Sequence, residues 1–277
     1  MRHVPLALLL LASAAAPAFA DDCAHSAPRS LDLDFAGVKS VRFDVGPHKL
    51  RVDAAAAAGA GGTVGGRACA SDPGYLERLH VTQERSGDKL VVRLQRDENW
   101  GGLTLGKRYA YLQLDAKVPD DVLVQLDVGS GDAWATGASA LSADVGSGDV
   151  DVRRTRGRVT VKVGSGDVTV EDAGALHVLS VGSGDVEATN VRGDTEVGSI
   201  GSGDFSLAQG GGDVRIGSIG SGDADVERIS GSVTVDSIGS GDLNVEQVTG
   251  SLTLRSKGSG DVSHSGVGGK VDIPRKR

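Results

Sequence analysis

The sequence predicts an all-β solenoid, and two features carry the prediction: a repeated tetrapeptide and a strand-like alternation between its copies. Gly-Ser-Gly-Asp occurs eight times in the second half of the 277-residue chain, at intervals of 17 to 19 residues. Self-similarity at a fixed period of this length is typical of solenoid proteins. The aspartates of the motif are Asp132, Asp149, Asp167, Asp185, Asp204, Asp223, Asp242 and Asp261.

A second, looser glycine divides most repeats into two halves. Within each half, apolar residues take every second position, as in Val168-Thr169-Val170-Glu171 and Val233-Thr234-Val235. This is the period of a strand with one face turned inward. We therefore predict a parallel β-helix of about 17–19 residues per coil, right-handed because parallel crossovers nearly always are. The dividing glycines are Gly157, Gly174, Gly193, Gly212, Gly231, Gly250 and Gly269.

Stacked coils of this kind fill their interior with columns of small and aliphatic side chains. Two apolar columns are predicted: Val159, Leu176, Thr195, Val214, Val233 and Leu252, and Val161, Val178, Val197, Ile216, Val235 and Leu254. Alternation places a third, polar column inward beside the corner: Ser180, Ser199, Ser218, Ser237 and Ser256. The low aromatic content, 3%, agrees with such a core.

Residues 1–20 have the pattern of a secretory signal peptide. Arg2 and His3 precede an apolar run, and Ala18-Phe19-Ala20 is a small-x-small cleavage site. The run is too short to favour a membrane anchor. We expect cleavage after Ala20 and a periplasmic or secreted chain with no membrane span. Losing Arg2 changes the formal charge from −8 to −9.

The two cysteines, Cys23 and Cys69, are expected to form a disulfide. Both lie in the N-terminal part of the chain, and a lone pair in an oxidising compartment most simply bonds to itself. A redox or metal site is disfavoured, because the spacing is long and no second pair exists.

Residues 21–126 lack the repeat but alternate like strands, and we predict that they form a β-rich cap with the first coils. Residues 79–83 and 89–95 flank Ser86-Gly87-Asp88 and are expected to form a hairpin. The repeats occupy 127–273, ending in a last strand at Val271-Asp272-Ile273. Residues 274–277 form a basic tail, and residues 54–62 form an Ala/Gly loop.

A known family has these features. A β-rich segment, the step Val118-Pro119-Asp120 and runs of Gly-Ser-Gly-Asp-Val resemble the bacterial "putative adhesin" β-strand-repeat family, which is related to the head GIN domains. The resemblance covers most of the mature chain. It implies a right-handed β-helix in an envelope protein, and it assigns no functional residues.

A search for chemistry finds no catalytic or cofactor motif. The six histidines show no metal-ligand spacing, and no Gly-x-Ser-x-Gly or Walker-type loop occurs. The acidic balance argues against nucleic acid as a partner. Arg192-Gly193-Asp194 spells the integrin tripeptide but occupies an ordinary turn position. We therefore expect a non-catalytic envelope protein, structural or binding an envelope protein or glycan. A carbohydrate-active β-helix enzyme is an alternative.

The aspartates of the motif pose an electrostatic problem, because stacking places their carboxylates about 4.8 Å apart. Two arrangements solve it. In the favoured one, each carboxylate accepts hydrogen bonds from Ser hydroxyls and Gly amides of its own or the adjacent turn, as in Ser165 with Asp167, Ser183 with Asp185 and Ser221 with Asp223. In the alternative, a calcium-binding β-roll, Ca²⁺ lies between the coils. The glycine spacing differs from the β-roll motif, so we expect no cofactor.

Overall fold

The structure is a computed structural model that describes residues 23–56, 61–97 and 108–274. The predicted signal peptide and residues 275–277 of the predicted basic tail lie outside the described residues, as does the centre of the predicted Ala/Gly loop. The cap contains β1 (His25–Leu33), β2 (Ser40–Gly46), β3 (Lys49–Ala56), β4 (Gly62–Ala70), a 3₁₀ helix (Pro73–Arg78), β5 (Leu79–Ser86), β6 (Lys89–Arg96) and β7 (Ala110–Pro119).

The remaining strands follow one another two to a coil, and the last one, β24, stands alone. They are β8 (Leu123–Val128), β9 (Asp132–Thr136), β10 (Ala140–Val145), β11 (Val150–Arg153), β12 (Arg158–Val163), β13 (Val168–Glu171), β14 (Ala175–Val181), β15 (Val186–Val191), β16 (Thr195–Ile200), β17 (Phe205–Gly210), β18 (Val214–Ile219), β19 (Ala224–Ile229), β20 (Val233–Ile238), β21 (Leu243–Val248), β22 (Leu252–Lys257), β23 (Val262–Val267) and β24 (Val271–Asp272).

The coils form two parallel sheets, which confirms the predicted fold: a parallel β-solenoid of about eight turns. Sheet A runs β1-β4-β7-β3-β9 and continues through the odd-numbered strands to β23. Sheet B runs β5-β6-β2-β8 and continues through the even-numbered strands to β24. The GSGD corner, formed by the Gly-Ser-Gly-Asp segments, leads from sheet B into sheet A. The second corner, at the dividing glycines, leads back.

Both predicted apolar columns are present in register. Val159 pairs with Leu176 and so on to Leu252, and the column from Val161 to Leu254 is equally continuous. Their side chains are at most 3% exposed and belong to one core running along the solenoid. Hydrophobic burial therefore stabilises every coil through its two neighbours.

The predicted serine column is in register, but its inward placement was wrong. Ser180 aligns with Ser199 and the later serines, yet all are half-exposed or exposed. The cause is a bulge between β12 and β14, where Leu179 is inserted and has no counterpart in β12. Two successive residues then face outward, so the next residue, Val181 or Ile200, takes the buried position.

Each sheet A strand in the repeats has a left-handed residue at or near its end, five positions after the motif aspartate. Stacking keeps this conformation in residues that seldom adopt it, and each such residue costs about 1–2 kcal/mol. The positions are Gly137, Arg154, Asp172, Asn190, Gln209, Arg228, Gln247 and Gly266, with φ between 53° and 80°.

The cap has a topology that the sequence did not predict. β2 and β3 form a coil whose strands pair in parallel with β8 and β9 of the repeats. β7 lies on the other side of β3, although it directly precedes β8 in the chain.

The predicted hairpin is present as antiparallel β5 and β6. Arg29 joins the two edges of the cap by donating to the carbonyls of Leu76 and Leu79 at 2.6 and 2.9 Å.

Cys23 and Cys69 form a disulfide in the structure, with Cα atoms 5.4 Å apart. β1, which follows Cys23, pairs antiparallel with β4, which contains Cys69. The bond therefore fastens the first described residue of the chain to the outer layer of the cap.

Candidate functional surfaces

The GSGD corner directs its backbone donors to the preceding coil. In the copy Gly239–Asp242, the amide of Gly239 binds the Ile219 carbonyl at 2.7 Å. The amides of Ser240 and Gly241 share the carbonyl of Gly220, at 2.8 and 3.0 Å. The fourth donor, the amide of Asp242, binds the Asp223 carboxylate at 2.8 Å. A carboxylate is thus needed once per coil to complete the corner.

The same bond recurs along the Asp ladder, the column of motif aspartates. Oδ1 of Asp149, Asp167, Asp185, Asp204, Asp223 and Asp242 accepts the amide hydrogen of the next ladder aspartate at 2.7 to 3.3 Å. The ends of the ladder face cations: Asp132 lies 3.9 Å from Lys49 Nζ, and Asp261 lies 3.5 Å from Lys257 Nζ.

The donors predicted for these carboxylates were therefore wrong, although the hydrogen-bonded ladder itself is present. The donor is an aspartate amide of the following coil and not a Ser hydroxyl or a Gly amide. The sequence could not distinguish them, because all three lie at the same corner. The motif serines are exposed, and Ser259 donates to the equivalent Ser240 at 3.3 Å.

The third residue of the motif must be glycine because the coils approach closely there. A Cβ atom on Gly222 would lie 1.8 Å from the carbonyl oxygen of Gly203, and the equivalent glycines show 1.7 to 1.9 Å. No side chain fits at such a distance. The third-position glycine of the motif thus allows the coils to approach closely, and the aspartate accepts the amide hydrogen of the next coil.

A second ladder, which sequence analysis missed, follows the dividing glycines. Asp194 Oδ1 accepts the amide hydrogen of Asp213 at 3.0 Å, and Asp213 Oδ1 accepts that of Ser232 at 2.7 Å. Ser232 and Ser251 continue the pattern with their hydroxyl oxygens, and Lys270 ends it as a donor only. The sequence did contain an indication of this ladder. A short side chain with an acceptor oxygen, Asp or Ser, directly follows Gly193, Gly212, Gly231 and Gly250.

The integrin-like tripeptide is part of these corner networks. The Arg192 guanidinium donates to the carbonyls of Thr155, Arg156 and Asp172, at 3.0, 3.2 and 3.4 Å. Asp194 belongs to the second ladder. Both charged residues of the tripeptide therefore contact the solenoid itself, in agreement with a structural role.

A group of aromatic and basic side chains, the aromatic patch, lies on the outer face of sheet A at the capped end. It consists of Lys49, Arg51, Tyr111 and Trp134, all half-buried. The Arg51 guanidinium is 5.4 Å from the Trp134 ring centroid, and Lys49 Nζ is 5.9 Å from that of Tyr111. Tyr109 adds a third ring, 5.9 Å from Tyr111. These distances are those of cation–π pairs.

His48 is a buried polar residue beneath this end of the solenoid. Its Nδ1 accepts the amide hydrogen of Leu112 at 3.1 Å, while Nε2 has no hydrogen-bond partner among the described residues. Burial, reinforced by the positive charge of Arg96, lowers the pKa of His48 to about 4. The imidazole is therefore neutral at pH 7 and helps to connect the corner after β2 with β7.

The part of the chain that the structure describes contains no group of three or more His, Cys, Asp or Glu side chains arranged to hold a metal ion. Within the same residues, no helix is long and apolar enough to span a bilayer.

The fold and its corner ladders define a parallel β-solenoid built from coils of one repeated motif. The chain belongs to the Toastrack DUF4097 family, which residues 77–276 match. This membership confirms the resemblance to the "putative adhesin" repeat family.

The chain is also similar, at low identity, to several solved structures. A putative adhesin from Bacteroides fragilis is 16% identical, with TM-score 0.43 and coverage of 90% of this chain and 98% of that one. A putative lipid binding protein from Parabacteroides distasonis is 13% identical, with TM-score 0.43 and coverage of 88% and 96%. A putative cell adhesion protein from Clostridium sporogenes is 12% identical, with TM-score 0.36 and coverage of 89% and 100%. No curated protein matches the chain.

Proposed function

We propose that this protein is a non-catalytic, extracytoplasmic solenoid that binds a glycan or a protein of the cell envelope. The signal-peptide pattern of residues 1–20 and the disulfide between Cys23 and Cys69 support the location. The use of the motif aspartates and of His48 in backbone hydrogen bonds supports a structural role for the polar groups most prominent in the sequence.

The proposal that this protein binds a partner rests on the aromatic patch. The chain has only three tyrosines and two tryptophans, and Tyr109, Tyr111 and Trp134 lie together there. Tyr, Trp and Arg are the residue types most enriched where proteins contact partners. Their flat, half-buried rings offer apolar area with little loss of side-chain entropy, and Arg51 and Lys49 add positive charge to an otherwise acidic protein.

Binding of the purified mature chain to isolated envelope polysaccharide and to solubilised envelope proteins tests the proposal. Trp134→Ala should weaken binding at least tenfold, roughly the effect of removing an interface hot spot. Tyr75→Ala is the matched control, because Tyr75 also has a cation near its ring, Arg78 at 5.7 Å, but lies outside the patch. Equal binding by the two variants would contradict the proposal, as would retention of the full-length chain in the cytoplasm after fractionation.

A further inference from the structure

A polar cleft of about 300 Å³ lies on the outer face of sheet B at the capped end. It crosses four neighbouring strands, β6, β2, β8 and β10, and is distinct from the aromatic patch on sheet A. We call it the sheet B cleft. Its lining residues are Arg42, Lys89, Gln125, Leu126, Asp127, Ser142 and Asp144.

Strand register brings these side chains together from distant parts of the chain. Arg42 aligns with Gln125, and Gln125 with Ser142. One step along the strands, Asp44 aligns with Asp127 and Asp127 with Asp144, so three carboxylates lie on adjacent strands. The inserted coil of β2 and β3 is what places Arg42 and Asp44 beside residues more than eighty positions later.

Cations hold this row of carboxylates in place. Arg42 forms ion pairs with Asp44 and Asp127. At the far end, Lys162 Nζ lies 3.3 Å from Asp144. The hydrogen bond to Asp44 is the main cause of the raised pKa of Arg42, which stays charged. The carboxylates are thereby compensated, and each still has free acceptor capacity for a hydroxyl donor.

Two groups of the cleft have no use within the fold. Gln125 Oε1 is buried and has no hydrogen-bond partner in the described part of the chain. Lys89, half-buried at the other end of the cleft, forms no ion pair with any described residue. A buried acceptor without a donor is costly, and native structures rarely leave one without a reason. The cleft therefore has one unmatched cation at its surface, Lys89, and one unmatched acceptor buried beneath it, Gln125 Oε1.

We propose that the sheet B cleft binds an acidic saccharide, with one carboxylate on a ring rich in hydroxyl groups. Lys89 pairs with the carboxylate of the sugar, while Asp127 and Asp144 accept hydrogen bonds from its hydroxyl groups. A phosphate group fits less well than a single carboxylate, because it concentrates up to two negative charges in one place beside Asp127 and Asp144. The sheet B cleft shares no residue with the aromatic patch, so the proposal for one site can be wrong while the proposal for the other is right.

Titration of the mature protein with trigalacturonic acid, followed by amide NMR shifts, tests the site. The neutral trisaccharide maltotriose and inorganic phosphate serve as comparison probes. We expect the acidic trisaccharide to shift amides of β2, β6 and β8, and to bind about tenfold more tightly than either comparison probe. Binding should weaken as ionic strength rises.

Lys89→Met should weaken binding of trigalacturonic acid about tenfold, whereas Lys270→Met, the same charge change on an exposed residue at the far end, should leave it unchanged. Asp144→Ala should also weaken binding while preserving the fold, as judged by its amide spectrum. Equal binding of maltotriose, unchanged affinity in Lys89→Met or shifts confined to the aromatic patch would each overturn the proposal. If Trp134→Ala loses envelope binding but still binds trigalacturonic acid, the result supports the sheet B cleft as a separate site.

Discussion

Asp223 Oδ1 accepts the backbone amide hydrogen of Asp242, the residue at the same corner one coil further on, at 2.8 Å. The amide of Asp223 in turn binds the carboxylate of Asp204, also at 2.8 Å. Each ladder residue from Asp167 to Asp242 thus takes part twice, through its side chain on one side and through its backbone on the other. The motif aspartate recurs because the amide of the next ladder aspartate needs an acceptor in each coil.

This relationship predicts different effects for two substitutions of Asp223. Asp223→Ala leaves the amide of Asp242 without an acceptor and should lower the free energy of unfolding by about 1–2 kcal/mol. Asp223→Asn retains an acceptor oxygen and removes like-charge repulsion along the ladder, so its stability should lie within about 0.5 kcal/mol of wild type. Urea unfolding followed by circular dichroism measures both. Equal losses would show that charge, and not the acceptor, matters.

The close approach at the GSGD corner predicts severe destabilisation by Gly222→Ala. The added Cβ would lie 1.8 Å from the Gly203 carbonyl oxygen, so the coils must separate locally. We expect a loss of about 3 kcal/mol or more. Gly65→Ala is the control, because no heavy atom lies within 4 Å of the new Cβ there. Thermal unfolding should show a large shift for the first variant and a small one for the second.

The buried His48 predicts a loss of stability on acidification. Its pKa is about 4 in the folded protein and 6.5 when unfolded, so the unfolded chain binds the extra proton first as pH falls. Stability should therefore be intact above pH 6.5 and fall by about 3 kcal/mol as pH drops from 6.5 to 4.

His48→Asn isolates this contribution. The side-chain oxygen of asparagine can accept the Leu112 amide hydrogen as Nδ1 does, but it does not titrate. Denaturant unfolding at several pH values should therefore show a steeper dependence between pH 4 and 6.5 for wild type than for the variant. Parallel curves would mean that His48 is protonated as easily in the folded state as in the unfolded one.

The disulfide should contribute substantially to the stability of the cap. Cys23 and Cys69 are 46 residues apart in sequence, for which the chain-entropy model gives about 4 kcal/mol at most. The Cys23→Ser/Cys69→Ser variant should unfold at correspondingly lower denaturant concentration. Intact mass after alkylation without reductant should show no modified thiol in the wild-type protein, and two modified thiols would exclude the bond.

We predict that folding requires no calcium, because each internal carboxylate of the ladder already accepts an amide hydrogen. Treatment of the purified protein with EDTA should leave its β-sheet circular dichroism and its unfolding midpoint unchanged. If chelation abolishes the β signal and Ca²⁺ alone restores it, the calcium-binding β-roll alternative is correct.

Much of the solenoid was predictable because its information is local and repeated. Alternation identified which residues face inward, and the fixed period aligned Val159 with Leu176 and Val161 with Val178 without any structure. The β5–β6 hairpin was equally local. Once a coil of known period is stacked in parallel, the spacing of strands leaves little freedom in register.

The sequence by itself determined the class of fold, the repeat period, the core columns and the corner at which the aspartates lie. Tertiary structure alone decided features that depend on contacts between distant segments. A single inserted residue, Leu179, turned the serines outward, because side chains alternate and one extra residue reverses the face. The insertion of β2 between β6 and β8, with β3 between β7 and β9, brought Arg42 beside Asp127, and no local pattern encodes such a pairing.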